Sequence, residues 1–346
     1  MRLRMPAEWE PHEGTWIAWP HEKSDWPGKF QTIPWVYCEI VRHLARVERV
    51  HILVEDEDAE QRARKTLTRA HANMDAVDFL HCATNRSWTR DYGPVFVHDE
   101  RGRVVITDWQ FNGWAKYDNW QVDDAVPAQM AERLGMKSVK PGLVLEGGSI
   151  DVNGKGSMLT TEECLLSDVQ QRNPGLTRDD LESAFARYLG VSQVLWLNRG
   201  IAGDDTHGHV DDVARFVDES TIVAAQERNR DEANYEPLAE NLRLLRKMVN
   251  QDGRALRVIP LPMPEPLYFD GQRLPASYAN FYVANGLVLV PTFNDVNDRI
   301  ALATLAKCFP DRKVVGIHAV DLVLGLGTLH CLTQQQPDPR SVRHGT

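Results

Sequence analysis

The feature that most limits how this chain can fold is a pattern that returns along it. Two short alternating segments meet at a tight turn, an amphipathic helix follows, and one more strand closes the unit. Val95–His98 and Val104–Phe111 alternate apolar and polar residues across a Glu-Arg-Gly-Arg turn, and a helical stretch near Ala125–Leu134 comes next. Ser149–Val152 and Ser157–Thr161 flank Asn153-Gly154, the strongest short hairpin signal a sequence carries. They lead into a helix over Asp179–Leu189, with Thr177 as its N-cap, and a strand over Gln193–Leu197. Val213–Val217, Thr221–Ala225, Pro237–Val249 and Leu256–Leu261 repeat the order. So do Ser277–Val283 and Leu287–Pro291 around Asn285-Gly286, then Arg299–Cys308 and Lys313–Ile317. A degraded N-terminal copy comprises Gly14–Trp19, a helix near Trp35–Ala45 and a strand at Val50–Val54.

About five ββαβ units result. Their residues are not alike, so the repeat rests on pattern and not on identity. A unit of this kind cannot bury its own sheet face. Closing the units around an axis buries those faces and removes exposed sheet edges. The expected fold is therefore α/β, radially arranged, and a single domain over residues 1–334. No Gly/Ser or Pro-rich linker divides it. Residues 335–346 are polar and carry Pro and Arg, which suggests a frayed tail.

The remaining numbers restrict the partners. Apolar residues make up 42% of the 346, enough for a sizeable core, so the chain is not a disordered one. The net charge of −10 repels phosphate backbones and anionic membranes, which argues against nucleic acid and suits a cationic ligand. No 18-residue apolar run and no N-terminal apolar stretch of a secretion signal occur, and a cytoplasmic location is expected. The five cysteines, at 38, 82, 164, 308 and 331, form no C-x-x-C pair, so neither a disulfide framework nor a zinc-finger spacing is present. Buried free thiols serve most often as small hydrophobes.

Three polar clusters stand just ahead of hairpin strands: Thr89–Pro94 with Asp91, Leu145–Gly148 with Glu146, and Asp204–Asp211 with His209. Equal offsets in units related by rotation place these side chains at one end of the axis. A fourth cluster, Gly325–Cys331, follows the final strand and would close the ring. Taken singly each has a plainer reading. Asp91 suits a turn ion pair with Arg90, and a lone cysteine is structural more often than reactive. His209, in a loop dense with Gly and Asp, is poor core filler. Glu146, after an apolar strand end, is harder to dismiss as surface charge.

Together they form a chemical set. A thiol of ordinary pKa, about 8.5, is mostly protonated at neutral pH and needs a cationic neighbour to become a nucleophile. Surrounding carboxylates would oppose ionisation in an empty site. They make sense when the substrate is itself a planar cation, held by paired hydrogen bonds, and a guanidinium fits.

At this point the chain resembles the agmatine deiminase family, in the group that also holds the Porphyromonas-type peptidylarginine deiminase. The resemblance is carried by Met5–His12, Thr15–Pro20, Thr89–Pro94, Phe111–Trp114, Glu146–Gly148, Thr206–Asp211, Leu274–Tyr278 and His330–Gln335. It implies the pentein fold, a five-bladed α/β propeller, and hydrolysis of agmatine to N-carbamoylputrescine and ammonia, towards putrescine. It also implies roles. Cys331 attacks the guanidinium carbon, and His209 protonates the departing ammonia and then activates water. Asp91 and Asp211 grip the guanidinium nitrogens, while Glu146 orients His209 and shares in binding. No metal and no cofactor is implied, and a homodimer is left open. Two departures lie near the pocket rim: Trp114-Ala115-Lys116 where the family usually has Trp-Gly-Gly-Lys, and the diluted glycine run Gly325-Leu326-Gly327-Thr328.

Other readings compete. His207-Gly208-His209-Val210-Asp211 has the spacing of a dinuclear metal site, though no further histidine occurs before His318. A non-enzymatic guanidinium sensor would need neither Cys331 nor His209. Peptide-linked or free arginine is the alternative substrate. Trp88 and Trp114 serve either as core aromatics or as covers for a bound cation. Glu8, Glu10 and Glu13 are the candidates for a carboxylate that binds the substrate's ammonium.

Overall fold

The computed structural model describes residues 2–339 and consists of five small sheets arranged as blades, plus one separate hairpin. Each blade has the same internal order. A first strand runs antiparallel to a second, and the second runs parallel to a third reached through a helix. In one blade these are Val95–Asp99, Val104–Thr107 and Ser138–Val139, with helix Val126–Leu134. The next uses Asp151–Val152, Ser157–Thr161 and Gln193–Leu197, with helix Arg178–Leu189. Ala214–Phe216, Thr221–Gln226 and Arg257–Pro262 form the third around Tyr235–Leu245. Tyr282–Ala284, Leu287–Thr292 and Lys313–His318 form the fourth around Asp298–Cys308.

The fifth blade joins the two ends of the chain. Gln334–Pro337 runs antiparallel to His12–Ala18, which is followed in parallel by Arg49–Val54 and Val77–His81. The N-terminal copy looked degraded because its first strand is supplied from the C-terminus. This corrects the expected tail from residue 335. Gln335, Gln336 and Pro337 are buried in a strand, and residues 340–346 of that expectation lie outside the described residues. The exchange is sterically sound: Trp16 donates Nε1–H to Gln336 Oε1 at 2.8 Å, and Gln334 Nε2 donates to the Pro94 carbonyl at 2.8 Å.

Local chemistry explains most boundaries. Thr177 caps its helix through a reciprocal box with Asp180, satisfying two otherwise unpaired N–H groups. Gly190 ends that helix with φ +74°, where Leu3 O lies too close for a Cβ. In Ile33–Leu44 the buried residues Ile33, Tyr37, Ile40, Val41 and Leu44 follow helical spacing, and each aliphatic one stabilises the fold by about 1.5–3 kcal/mol. Several short helices and strands had no sequence expectation, and the longest of them is a helix. Glu57–Arg69 hides only Ala59, Ala63 and Leu67 and is charged elsewhere, so its apolar stripe is thin. It delivers the chain to Val77–His81. The expected strand Ser277–Val283 shrinks to Tyr282–Ala284, and the freed loop reaches the axis.

All five first strands are fully buried, while the third strands are partly exposed. The first strands therefore surround the axis. Ion pairs and a hydrogen bond tie them there: Arg215 pairs with Asp151 at 2.7 Å and Glu8 at 2.8 Å, and Arg90 donates to the amide oxygen of Gln335 at 2.8 Å. Among the described residues no helix is long and apolar enough to cross a membrane.

Candidate active site

The polar loops ahead of the first strands converge at one end of the axis. Asp91 lies on the short helix Thr89–Tyr92, four residues before its strand. Glu146 precedes Asp151, and His209 and Asp211 precede Ala214. Cys331 stands three residues before Gln334, so it obeys the same rule within the blade that joins the termini. Closure of the ring thus brings Asp91, Glu146, His209, Asp211 and Cys331 together, all of them buried.

Gly148 marks the point of convergence. A Cβ built there would lie 2.6 Å from His209 Nδ1, 2.8 Å from Asp91 Oδ1 and 3.0 Å from Asp211 Oδ2. No side chain fits, and the Gly148 N–H instead donates to Asp91 Oδ1 at 3.0 Å. Trp114 Nε1–H holds the other Asp91 oxygen at 2.8 Å, so the carboxylate is oriented from both sides. His209 Nδ1 is 3.8 Å from Asp91 and Nε2 is 4.0 Å from Glu146. Both ring nitrogens and Glu146 Oε2 are buried without a hydrogen-bond partner among the described residues. Orphaned polar atoms are costly in a dry interior, and a cluster of them marks where a ligand completes the set.

Several residues at this site were given no role by the sequence. Arg172 donates from Nε to Glu146 Oε1 at 2.9 Å, both side chains being fully buried, and further to the Gln170 carbonyl at 2.8 Å and that of Thr206. It therefore anchors Glu146 and the His209 loop at once. His330 bridges Asp211 Oδ2 at 2.7 Å and Glu8 Oε2 at 2.8 Å. Asn280 donates to Cys331 Sγ at 3.1 Å while its oxygen accepts from His330 N at 3.0 Å and Thr328 Oγ1 at 2.7 Å. Asn280 lies two residues ahead of Tyr282, inside the range expected as strand, so the sequence does not assign it to a polar loop.

Electrostatics follow from burial and like charge. Burial, with Asp211, Asp212 and Asp91 nearby, pushes the Cys331 thiol well above its ordinary range. For His209 burial works against the charged form, but Asp91, the neighbouring Cys164 and then Asp211 outweigh it and raise the imidazole well above its usual value. Asp91 is pushed up to about 6, chiefly by burial, with Asp211 and Glu146 adding to it and His209 opposing. Asp211 is held low: burial raises it, and the His330 contact more than compensates.

A cavity of about 600 Å³ opens onto this end and is lined by Cys331, Asp91, Trp88 and Trp114 at its base and by Lys116, Tyr117, Asp205 and Asp270 among others further out. Glu8, Glu10 and Glu13 do not line it. Glu8 is consumed by Arg215 and His330, Glu10 pairs with Arg4, and Glu13 accepts from Gln336. The reason is that the opening motif packs beside the axial first strands, away from the mouth. The H-x-H-x-D spacing is also divided: His207 Nε2 meets Ser167 Oγ at 3.2 Å, apart from His209. Among the described residues the buried donors that could share a metal are Glu146, Cys164 and His209, within 4.8 Å of one another, with the Arg172 cation on the same carboxylate.

Comparison with known proteins places the chain. The family model for Porphyromonas-type peptidyl-arginine deiminase matches residues 4–337. The agmatine deiminase of Ectopseudomonas mendocina (strain ymp) is 34% identical, covering 98% of this chain and 96% of its own. The solved agmatine deiminase of Enterococcus faecalis superposes with a TM-score of 0.90 at 33% identity, covering 97% of this chain and 96% of its own. A C. jejuni agmatine deiminase variant with substrate bound gives 0.87 at 31% identity, with coverage of 97% and 96%.

Proposed function

From the premise that the chain belongs to the Porphyromonas-type peptidyl-arginine deiminase family, we infer that it is an agmatine deiminase, hydrolysing the guanidinium of agmatine to a ureido group and ammonia. The observation that carries the reading is the meeting of His209, Asp91 and Asp211 around Gly148, with Glu146 4.0 Å from the imidazole and the Cys331 sulfur 3.7 Å from Asp211, beside a cavity whose wall carries further acidic groups.

Burial and the surrounding aspartates favour the neutral thiol of Cys331, and the same aspartates favour the charged imidazole of His209. A planar guanidinium between Asp91 and Asp211 brings its own positive charge beside Sγ. The thiol then loses its proton to solvent, and the amide N–H of Asn280 supports the thiolate. Attack on the guanidinium carbon forms a C–S bond. His209 gives its proton to a terminal nitrogen, the C–N bond breaks, and ammonia leaves. The imidazole, now neutral, takes a proton from water. The resulting hydroxide adds to the same carbon, the C–S bond breaks, and the proton of the new hydroxyl passes to the departing sulfur, leaving the ureido carbonyl and the neutral thiol. Glu146, fixed by Arg172, faces His209 Nε2 and keeps the ring oriented through both steps.

Steady-state turnover of agmatine against benzoyl-arginine amide and a short arginine peptide tests this. Agmatine is the expected preferred substrate, and preference for the peptide overturns the assignment. A pH profile adds a second expectation. Asp91 titrates near 6, above its ordinary range, and must be ionised to hold the cation. Lowering the pH through about 6 protonates it, so kcat/KM for agmatine should fall with a slope of one proton. A profile flat down to pH 5 would remove Asp91 from the binding step.

A further inference from the structure

One buried thiol takes no part in the chemistry proposed above, yet lies beside its acid. The Cys164 sulfur, a carboxylate oxygen of Glu146 and a ring nitrogen of His209 all lie within 4.8 Å of one another, and all three side chains are buried. A buried free cysteine serves most often as a small hydrophobe. On this side, however, its neighbours are polar and unsatisfied. Both ring nitrogens of His209 and Glu146 Oε2 have no hydrogen-bond partner among the described residues, and Asp91 and Glu146 stand 3.8 and 4.0 Å from the ring.

The fold fixes the sulfur against both ends of the histidine loop. Cys164 lies on the short helix Glu162–Leu165, capped by Thr161, whose Oγ1 accepts from Cys164 N at 3.1 Å. The same hydroxyl donates to the Gly208 carbonyl at 2.5 Å, next to His209. At the start of the loop the Glu163 N–H donates to the Asn198 carbonyl at 3.0 Å, and the Gly200 N–H donates to the Glu163 carboxylate at 2.7 Å. A Cβ added to Gly208, whose φ is +100°, would lie 3.0 Å from Glu163 Cβ, so loop and helix are pressed together.

A thiol accepts weakly on sulfur and donates weakly through S–H. It can take an N–H from the imidazole and direct its own hydrogen to the unpaired Glu146 oxygen. Charge agrees with this arrangement. Burial opposes a charged ring, whereas Asp91, then Cys164 and then Asp211 favour it. Asp212 is close enough to feel the ring's charge, and the Arg172 cation sits on the other oxygen of Glu146.

We propose that Cys164 is a positioning residue, which joins the His209 imidazole to Glu146 and keeps the ring's proton available to the departing ammonia. The inference rests on the deiminase reading above and adds to it a group that never touches the substrate. No proton leaves the Cys164 thiol in either half of the reaction.

The test compares Cys164→Ala with Cys164→Ser, of which only the serine can accept and donate. The charged ring is the proton donor, so a ring that loses support deprotonates at lower pH. Cys164→Ala should lower kcat for agmatine about tenfold, keep KM within about twofold, and move the alkaline limb of kcat to lower pH. Cys164→Ser should recover most of the rate and the wild-type limb. Cys164→Val, which fills the space without a polar atom, should repeat the alanine result. In the empty enzyme the His209 imidazole, followed by NMR and assigned by its loss in His209→Asn, should titrate at lower pH in the alanine and valine variants alone. An unmoved titration overturns the proposal, and so does a serine variant that behaves like alanine, since Cys164 would then be packing only. Wild-type inactivity on agmatine, with the titrations as expected, would defeat the substrate reading and support the placement of Cys164.

Discussion

Cys331→Ser is expected to lower turnover of agmatine by at least about 10⁴-fold while leaving agmatine binding within a few fold of wild type. The hydroxyl retains size and a hydrogen bond from Asn280, so the pocket should stay formed. What is lost is ionisation. A thiol already pushed upward by burial and three aspartates can still be brought down by a bound cation, whereas an alcohol starts several units higher. Rapid acid quench of the wild type should reveal a protein adduct with the mass of agmatine less one ammonia, absent in the variant. Turnover within tenfold of wild type, or an adduct on another residue, would remove Cys331 from the role of nucleophile.

Arg172→Met is expected to produce the largest loss of stability of any single change at the site, about 3–5 kcal/mol. Arg172 and Glu146 are both fully buried, and the guanidinium also ties two loop carbonyls together. Its removal takes from Glu146 the cation that hydrogen-bonds it, leaving only the His209 imidazole, 4.0 Å away, in a dry interior. Chemical denaturation would give the free energy, and Glu146→Gln in the same background should recover part of it by removing the stranded charge. Full stability in Arg172→Met alone would mean that Glu146 is solvated or protonated in the native state. Because Arg172 acts through Glu146, the surviving folded fraction should also show a displaced pH profile and not merely a lower rate.

The ring of blades was legible because its local signals are strong and agree with one another. Asn153-Gly154 and Asn285-Gly286 mark hairpins, Thr177 with Asp180 marks a helix start, and the alternation between them leaves little freedom. Asp91, Glu146 and His209 could be grouped because one offset rule applies to all three. Arg172, Asn280 and His330 were not legible from pattern. Arg172 lies in an irregular loop between elements, and His330 gains meaning only when closure places it between Glu8 and Asp211. Glu8, Glu10 and Glu13 were misjudged for the opposite reason. Nearness in the chain to a motif says nothing about which end of the axis a side chain faces, and Glu8 ended beneath the site as the partner of Arg215.

The strand that joins the two ends of the polypeptide begins three residues after the sulfur. A ribosome makes this segment after the four complete blades, which have had time to fold before it emerges. Any nascent or truncated chain lacking it has neither a finished barrel of sheets nor the thiol in position. Completion of the architecture and the arrival of reactivity are thus a single event in the life of each molecule, and a half-made copy cannot act on a cellular amine.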